Sequence, residues 1–404
     1  MSNAWTESFS TLAKNLRPSA VSGLFKAIKN PKMISFAGGM PAPEVFPIDK
    51  FAEGAHLLKD RGSELLQYGT ATEGDSSLRS SLIKFMAPRL GRTVDMEEIL
   101  LTTGSQQALD LFAWAMFDKG DAIITEEPTY MAALNVFSNH GAQAVGVPCD
   151  AEGMMVDKLP ALIEKLRGEG KKVKGIYTIV NFQNPGGMTM TVARRQKLAQ
   201  IAGEYGVPIF EDDPYGYVRY EGEHLPSIFS FDKAGNTLYA GSFSKILSPG
   251  VRIGWVCGDR EIIRKMSAFK QSTDLCSSPI TQALVAEYCE KGYLEQHIPV
   301  IADNYRKRRD AMEESLQRHM KPLDVTWVKP EGGFFFWLKM PGVDCEKLMT
   351  ICLEKMVAFV VGTAFCIDPE AGRNYCRLNF TYCKPDKIEE GIRRMAEAIQ
   401  SLRK

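Results

Sequence analysis

Gly241-Ser242-Phe243-Ser244-Lys245-Ile246-Leu247-Ser248-Pro249-Gly250-Val251-Arg252-Ile253-Gly254 is the stretch around which the chain is organised. The residues just before it, Thr237 to Ala240, read as a short buried strand. A turn of small residues then presents Lys245 among hydroxyls, with Arg252 close behind. A dry or already cationic site makes a lysine easier to deprotonate, because both effects disfavour the ammonium form. A neutral lysine is a nucleophile towards aldehydes. Ser242, Ser244 and the planar fork of Arg252 suit a phosphate. The segment therefore points to a ligand carrying both an aldehyde and a phosphate. A lone lysine in such a turn is more often simply solvated, so the weight falls on what the rest of the chain places near it.

Composition sets the class. The chain has 404 residues, 45% of them hydrophobic and 24% charged, enough for two or three domains of a soluble globular protein. Lys+Arg and Asp+Glu both number 49. This balance gives no support to a nucleic-acid or membrane partner. The nine cysteines are scattered, with no Cys-x-x-Cys pair, and read as reduced thiols of a cytoplasmic protein. His56, His140, His224, His297 and His319 show no metal-ligand spacing. No signal peptide or membrane-spanning apolar run is apparent.

Strand-like and helix-like segments alternate along the first two thirds. A helical pattern with a break at Pro18 covers residues 1 to about 32, and a short strand from Met33 leads into Gly38-Gly39 and a proline-rich stretch. Tyr68 precedes a polar loop, and Ser76 or Ser77 is the predicted cap of a helix through Leu78, Leu82 and Phe85. Glu98 to Thr103 reads as a strand, followed by Gly104-Ser105-Gln106-Gln107 and an amphipathic helix. A strand, a glycine turn and a helix start offer free backbone N–H groups to an anion. Ala122 to Thr125 is a strand running into Glu127-Pro128-Thr129-Tyr130, and Gly175 to Val180 is one closed by Asn184-Pro185-Gly186-Gly187. Thr191 is the next predicted helix cap. Val207 to Phe210 is a strand closed by Glu211-Asp212-Asp213-Pro214-Tyr215. Acids at a strand end are usually solvated, and a buried one is costly unless it meets a cation. This alternation implies an α/β fold, a mainly parallel sheet covered on both faces. Ligands of such sheets lie beyond the carboxyl ends of the strands. Ser105, Tyr130, Asn184, Asp212, Tyr215 and Lys245 each fall just past a predicted strand end.

Taken together these motifs resemble the class I/II aminotransferases, pyridoxal-phosphate (PLP) enzymes of fold type I. The resemblance is nearest the branch with the 2-aminoadipate and kynurenine aminotransferases. Its carriers are Ser35–Pro43, Thr103–Gln107, Glu127–Tyr130, Asn184–Gly187, Glu211–Tyr215, Ser242–Gly254 and Cys376-Arg377-Leu378-Asn379-Phe380, spanning nearly the whole chain in order. The resemblance implies a large domain over residues 48–285 with a mainly parallel seven-stranded sheet. It also implies a smaller α+β domain over 286–404, with an N-terminal arm, 1–47, belonging partly to the small domain. Lys245 would hold PLP covalently and move the substrate proton. Asp212 would pair with the ring nitrogen, Asn184 and Tyr215 would bond the ring oxygen, and Tyr130 would stack on the ring. Ser105, Gln106, Ser242 and Arg252 would hold the phosphate, and Tyr68 would reach the cofactor of a second subunit, making a homodimer. Arg377, with Gly39, would bind the substrate carboxylate.

The implied activity is transfer of an amino group from an aromatic, branched-chain or 2-aminoadipate-like L-amino acid to a 2-oxo acid, 2-oxoglutarate foremost, by a ping-pong route. A carbon–sulfur β-lyase on the same fold is the alternative, and a non-catalytic regulatory PLP-binding domain a more distant one. Relatives often carry an arginine near Ser22 that can meet a distal carboxylate. Its absence here points towards apolar or aromatic donors, unless Arg17 or Lys26 substitutes. In the last third, Ile280 to about Met320 reads as one long amphipathic helix with Tyr305-Arg306-Lys307-Arg308-Arg309 on a solvated face. Strands are predicted at Val325–Trp327, Gly333–Leu338, Val357–Val361 and Arg377–Thr381, with Phe334 or Phe336 towards the substrate.

Overall fold

The computed structural model describes residues 4–15, 30–69 and 71–403. Two short helices, Ala4–Ser8 and Thr11–Asn15, open the chain. The expected break at Pro18 lies outside the described residues, as do Arg17, Ser22 and Lys26. The chain continues into β1 (Ile34–Ser35), and a run of short helices leads to the helix Ser76–Leu90. The cap of that helix is Asp75, whose carboxylate accepts from Leu78 N at 2.8 Å, rather than Ser76 or Ser77. An ionised carboxylate is the stronger acceptor for free N–H groups at a positive helix end. Thr191 does stand at the cap position of Val192–Tyr205, without a side-chain bond.

The strands then follow as β2 (Ile99–Thr102), β3 (Ala122–Glu127), β4 (Gln143–Asp150), β5 (Gly153–Met154), β6 (Val173–Thr178), β7 (Ile209–Asp212), β8 (Thr237–Ser242) and β9 (Gly254–Cys257). They form one sheet in the order β2-β9-β8-β7-β6-β3-β4-β5. Neighbours from β8 through β7, β6 and β3 to β4 are parallel. The two-residue β5 extends the edge by an eighth strand, antiparallel to β4. β9 has no counterpart among the predicted strands and runs antiparallel to both β8 and β2. Its direction follows from the connection: Phe243 to Ile253 holds only one 3₁₀ turn, Pro249–Val251. Without a crossover helix the chain can return only antiparallel. Every residue of β2, β7, β8 and β9 is buried, as strands covered on both faces require.

A second, antiparallel sheet is built late in the chain. Its strands come from the series β10 (Thr326–Trp327), β11 (Phe335–Lys339), β12 (Val357–Ala358), β13 (Val360–Val361) and β14 (Tyr375–Asn379), in the order β10-β11-β14-β13. β12 instead pairs in parallel with β1.

Two expectations for this region change. The predicted single helix is two, Pro279–Glu290 and Tyr293–His319. Gly292 between them has φ 68°, a left-handed conformation that only glycine takes without a Cβ penalty. Nor is the basic run wholly solvated. Tyr305, Arg308 and Arg309 are buried, while Arg306 and Lys307 pair with Asp303 at the surface. Arg309 donates to Pro330 O at 2.7 Å and to the Glu221 carboxylate at 2.5 Å. Arg308 donates to Thr381 O at 2.5 Å and also bonds Glu44. The helix repeat puts residues 305, 308, 309, 312 and 316 on one inward face, and the two arginines there fasten the helix to neighbouring loops.

The deepest ion pair among the described residues joins the last turn of the helix Ser76–Leu90 to the residue just past β7. Arg89 Nη1 donates to Asp213 Oδ2 at 2.5 Å, with side-chain exposures of 6% and 0%. Removing Arg89 strands a buried carboxylate. Arg89→Met is expected to lower unfolding free energy by about 3–5 kcal/mol, and the exposed Arg306→Met by less than about 0.5 kcal/mol. Urea denaturation of the two variants checks this contrast.

Candidate active site

The carboxyl ends of the central strands deliver most of the predicted residues to one place. β7 ends at Asp212, and Tyr215 follows. Lys245 lies just past β8, Asn184 past β6, Tyr130 past β3 and Ser105 past β2. The late sheet contributes Arg377 from β14, and the segment after β1 contributes Gly39. All eight line a cavity of about 320 Å³, together with Phe335, Ile179, and Met131 and Ala132 at the start of the helix Met131–Asn139.

One end of the cavity is a helix start. Ser105 opens the helix Ser105–Met116 behind Gly104, which has φ 78°. A Cβ on Gly104 would lie 2.4 Å from Arg252 Nη2, and one on Gly254 would lie 2.6 Å from Gly104 C and Ser105 N. These two glycines therefore let Arg252 and β9 close directly on the helix N-terminus. Arg252 itself has φ 51°, a conformation costing a non-glycine residue on the order of 1 kcal/mol. Its Nη2 donates to Thr103 O at 3.2 Å. Ser242, opposite Gly254 in the β8–β9 register, accepts from Ser244 N at 3.1 Å. Gln106 sits in the first helical turn. Free N–H groups, the positive helix end and a guanidinium converge here, the composition of a phosphate cradle.

Three consecutive buried acids close β7, and Asp212 among them lines the cavity. Glu211 accepts from Ile228 N at 3.0 Å and Phe229 N at 3.1 Å. Burial pushes it up to about 7. Burial would also raise Asp213, but Arg89, Asn181 and Tyr239 outweigh it and hold that carboxyl below the usual range. Asp212 has only Tyr177, whose hydroxyl donates to Oδ2 at 2.8 Å. Asp212 Oδ1 is buried with no partner, and burial pushes the carboxyl up to about 7. A buried oxygen left so costs about 1–3 kcal/mol, and a cationic N–H on a ligand would satisfy it.

Lys245 and Arg377 line the same cavity. Lys245 Nζ donates to Gly39 O at 2.7 Å. Burial first, then the charges of Arg377 and Arg252, lower the Lys245 amine to about 8. Arg377 Nη1 donates to Asn184 Oδ1 at 2.7 Å and Nη2 to Ala37 O at 2.8 Å. Its Nε is buried without a partner, and its plane lies 4.0 Å from the Phe335 ring centre. Burial draws the guanidinium down to about 10, so it stays charged at neutral pH. Burial raises the Tyr215 and Tyr130 hydroxyls, keeping both protonated.

Tyr68 is not brought in: it is 74% exposed. Phe335, rather than Phe334 or Phe336, lines the cavity. Phe334 packs on Tyr215 at 5.4 Å and Phe336 on Phe380 at 5.6 Å. Tyr177 went unremarked in the sequence because its partner is chosen by strand register, Tyr177 facing Phe210 one strand away. Met131 and Ala132 carry no chemical signature, although their place directly after Tyr130 at a helix start was a usable clue.

A lysine of lowered basicity, a phosphate cradle and a buried carboxyl with one unpartnered oxygen around one cavity fit pyridoxal phosphate, and the fold is that of the fold type I enzymes that use it. Residues 44–395 match the family of class I and II aminotransferases, to which this chain belongs. It is 44% identical over 394 residues to aromatic-amino-acid aminotransferase 1 of Thermococcus litoralis, covering 97% of this chain and 94% of that one. The solved structure of Pyrococcus horikoshii kynurenine aminotransferase, in complex with PMP, superposes with a TM-score of 0.94 at 43% identity, covering 99% of each chain. That of the α-aminoadipate aminotransferase of Thermus thermophilus, complexed with N-(5'-phosphopyridoxyl)-L-leucine, superposes with a TM-score of 0.89 at 34% identity, again covering 99% of each. The protein is a PLP-dependent aminotransferase.

The lysine environment gives a direct test. In cofactor-free protein the rate at which Lys245 reacts with pyridoxal is expected to rise with pH through about 8, as the amine loses its proton. Arg377→Met removes a positive neighbour, so the midpoint of that pH–rate profile moves to higher pH.

Proposed function

We propose that this aminotransferase moves the amino group of an aromatic, branched-chain or 2-aminoadipate-like L-amino acid to a 2-oxo acid, 2-oxoglutarate in our reading, in two half-reactions sharing one site. The observation carrying this reading is Arg377, a buried guanidinium held by Asn184 and Ala37 with its Nε unpaired, in the same cavity as Lys245. A carboxylate common to amino and oxo acids is what such a planar fork recognises. Its grip places the substrate α-carbon beside the lysine amine. Lys245, buried and of lowered basicity, holds the cofactor in the resting enzyme, then accepts the α-proton and returns it to the product side.

PLP supplies an aldehyde carbon and a protonated ring that draws electrons from the substrate α-carbon. Asp212, through Oδ1, keeps the ring nitrogen protonated. Asn184 and Tyr215 bond the ring oxygen, and Tyr130 covers the ring face. Ser105, Gln106, Ser242 and Arg252 take the phosphate, while the Gly39 backbone borders the substrate.

Among the described cavity residues, Lys245 and Arg377 are the only lysine or arginine, and Met131, Ala132, Ile179 and Phe335 add apolar surface. This supports aromatic or apolar donors, in keeping with the aromatic and kynurenine substrates in the names of two relatives. A homodimer is supported by Leu66 and Tyr68, each 74% exposed, and Leu275 at 53%. Gly69 N donates to Cys276 Sγ at 3.3 Å, placing their loops side by side at one apolar face. From that face Tyr68 would reach the cofactor of the second subunit. We assign residues 48–285 to the cofactor-binding domain and 286–404, with part of the arm 1–47, to the smaller one. The β1–β12 pairing supports that grouping. A cytoplasmic location fits nine free cysteines.

Steady-state kinetics test the route. Double-reciprocal plots at several fixed 2-oxo acid concentrations should be parallel, and intersecting lines would contradict two half-reactions. Lys245→Ala should cut turnover by at least about 10²-fold. Arg377→Lys should lower kcat/KM for the amino donor by about 10- to 100-fold, the loss of about 1.5–3 kcal/mol from a charged hydrogen bond.

A further inference from the structure

We propose that Lys270, through its buried ion pair with Asp274, positions the Thr103–Gln107 turn and Arg252 to bind the cofactor phosphate. The inference rests on the cradle reading above and concerns residues that reading leaves without a role.

Lys270 lies on the helix Arg260–Thr273, and its side chain is fully buried against 28% exposure for Asp274. Its ammonium donates to Asp274 Oδ1 at 2.8 Å and Oδ2 at 2.9 Å, to Gln107 Oε1 at 3.0 Å and to Ser277 Oγ at 3.1 Å. Each of the three acceptor residues, Asp274, Gln107 and Ser277, also bonds Thr103, two positions before Ser105. Gln107 Oε1 also accepts from Thr103 N at 2.8 Å, and Gln107 Nε2 donates to Asp274 Oδ2 at 2.8 Å. Thr103 Oγ1 donates to the same carboxylate oxygen at 3.0 Å and lies 3.1 Å from Ser277 Oγ. The remaining polar group of Thr103, its carbonyl, accepts from Arg252. Thr103 is thus held at its N–H and its hydroxyl by the ion-pair network, and holds Arg252 by its carbonyl. Gly104 and Ser105 follow it without slack.

Stability alone does not call for this pair. Apolar residues of similar volume in place of a buried ion pair are often neutral or stabilising. A buried lysine is also an odd choice beside a positive helix end and an arginine. The placement makes sense if the network's task is to fix the directions of N–H groups and a guanidinium towards a dianion. Burial pushes Asp274 up, but the bonds from Lys270 and Gln107 outweigh it and keep the carboxylate charged.

The test compares a ligand with the phosphate and one without. Full-length protein freed of cofactor is titrated with PLP and with pyridoxal, following the absorbance of the bound ligand, and the ratio of the two affinities is the readout. Lys270→Met is expected to lower PLP affinity by about 10- to 100-fold, the range for a residue that orients direct ligands, with pyridoxal affinity unchanged. Equal losses for both ligands, or none for either, would overturn the proposal by marking the pair as merely structural. Arg252→Ala separates the underlying reading: if it keeps the full preference for PLP, the cradle assignment itself fails. If Arg252→Ala loses the preference and Lys270→Met keeps it, only the positioning role fails. Should Lys270→Met not fold, Thr103→Val decides. It removes the hydroxyl that bonds Asp274 and Ser277 and should lower the preference by at least about 2- to 10-fold, and an unchanged preference overturns the proposal.

Discussion

Three consecutive carboxyl groups buried at the end of one strand are the constraint on which this structure turns. Glu211, Asp212 and Asp213 are each at most 2% exposed, and each buried charge must be compensated locally. Asp213 is compensated fully, by Arg89, Asn181 and Tyr239. Glu211 is compensated by two backbone N–H groups. Asp212 alone is left with an unpaired oxygen. The neighbours use up the local donors, so the remaining demand falls on whatever enters the cavity. A cofactor with a basic ring nitrogen meets that demand, and the cost of leaving the oxygen bare becomes binding energy for the ligand.

The sheet makes this demand coincide with the lysine. β7 and β8 are adjacent and parallel, so residues just past their ends emerge side by side. The same geometry brings Asn184 from the end of β6. The antiparallel β9 serves a different purpose. By returning straight after Lys245 it carries Gly254 against the start of the helix Ser105–Met116, where no Cβ would fit. The lysine segment and the Gly104-Ser105 turn are thereby packed together. Arg377 arrives from the late sheet and is held from two sides, by Asn184 of the large sheet's loops and by Ala37 after β1. The direction of the Arg377 guanidinium therefore depends on how the two sheets sit against each other.

Much of this was readable in the sequence, for a physical reason. Lys245, Asp212, Asn184, Tyr215, Tyr130 and Ser105 are polar groups just past apolar strands, and a parallel sheet gathers such positions. The family resemblance added Arg377 and Gly39, which lie far away in the chain. What depends on register was not readable. Nothing in one dimension puts Tyr177 on Asp212, or Phe335 rather than Phe334 on Arg377. Other misses had signals that were underweighted. Gly292 interrupts the helical pattern before Tyr293, and the spacing of Tyr305, Arg308, Arg309, Met312 and Leu316 already describes an inward face. A run of basic residues suggested solvent, yet arginines that reach backbone carbonyls can be buried cheaply. Tyr68 is 74% exposed, so nothing in the single chain gives its side chain a role.

One amine, that of Lys245, decides the chemistry of the site. Borohydride reduction of the holoenzyme fixes the cofactor permanently to the side chain that carries it, and peptide mapping by mass spectrometry then locates the phosphopyridoxyl group. A single modified residue, Lys245, in the peptide between Ser242 and Arg252, is the expected result. The label on any other lysine, or its absence from a protein that binds PLP tightly and transaminates, would contradict it.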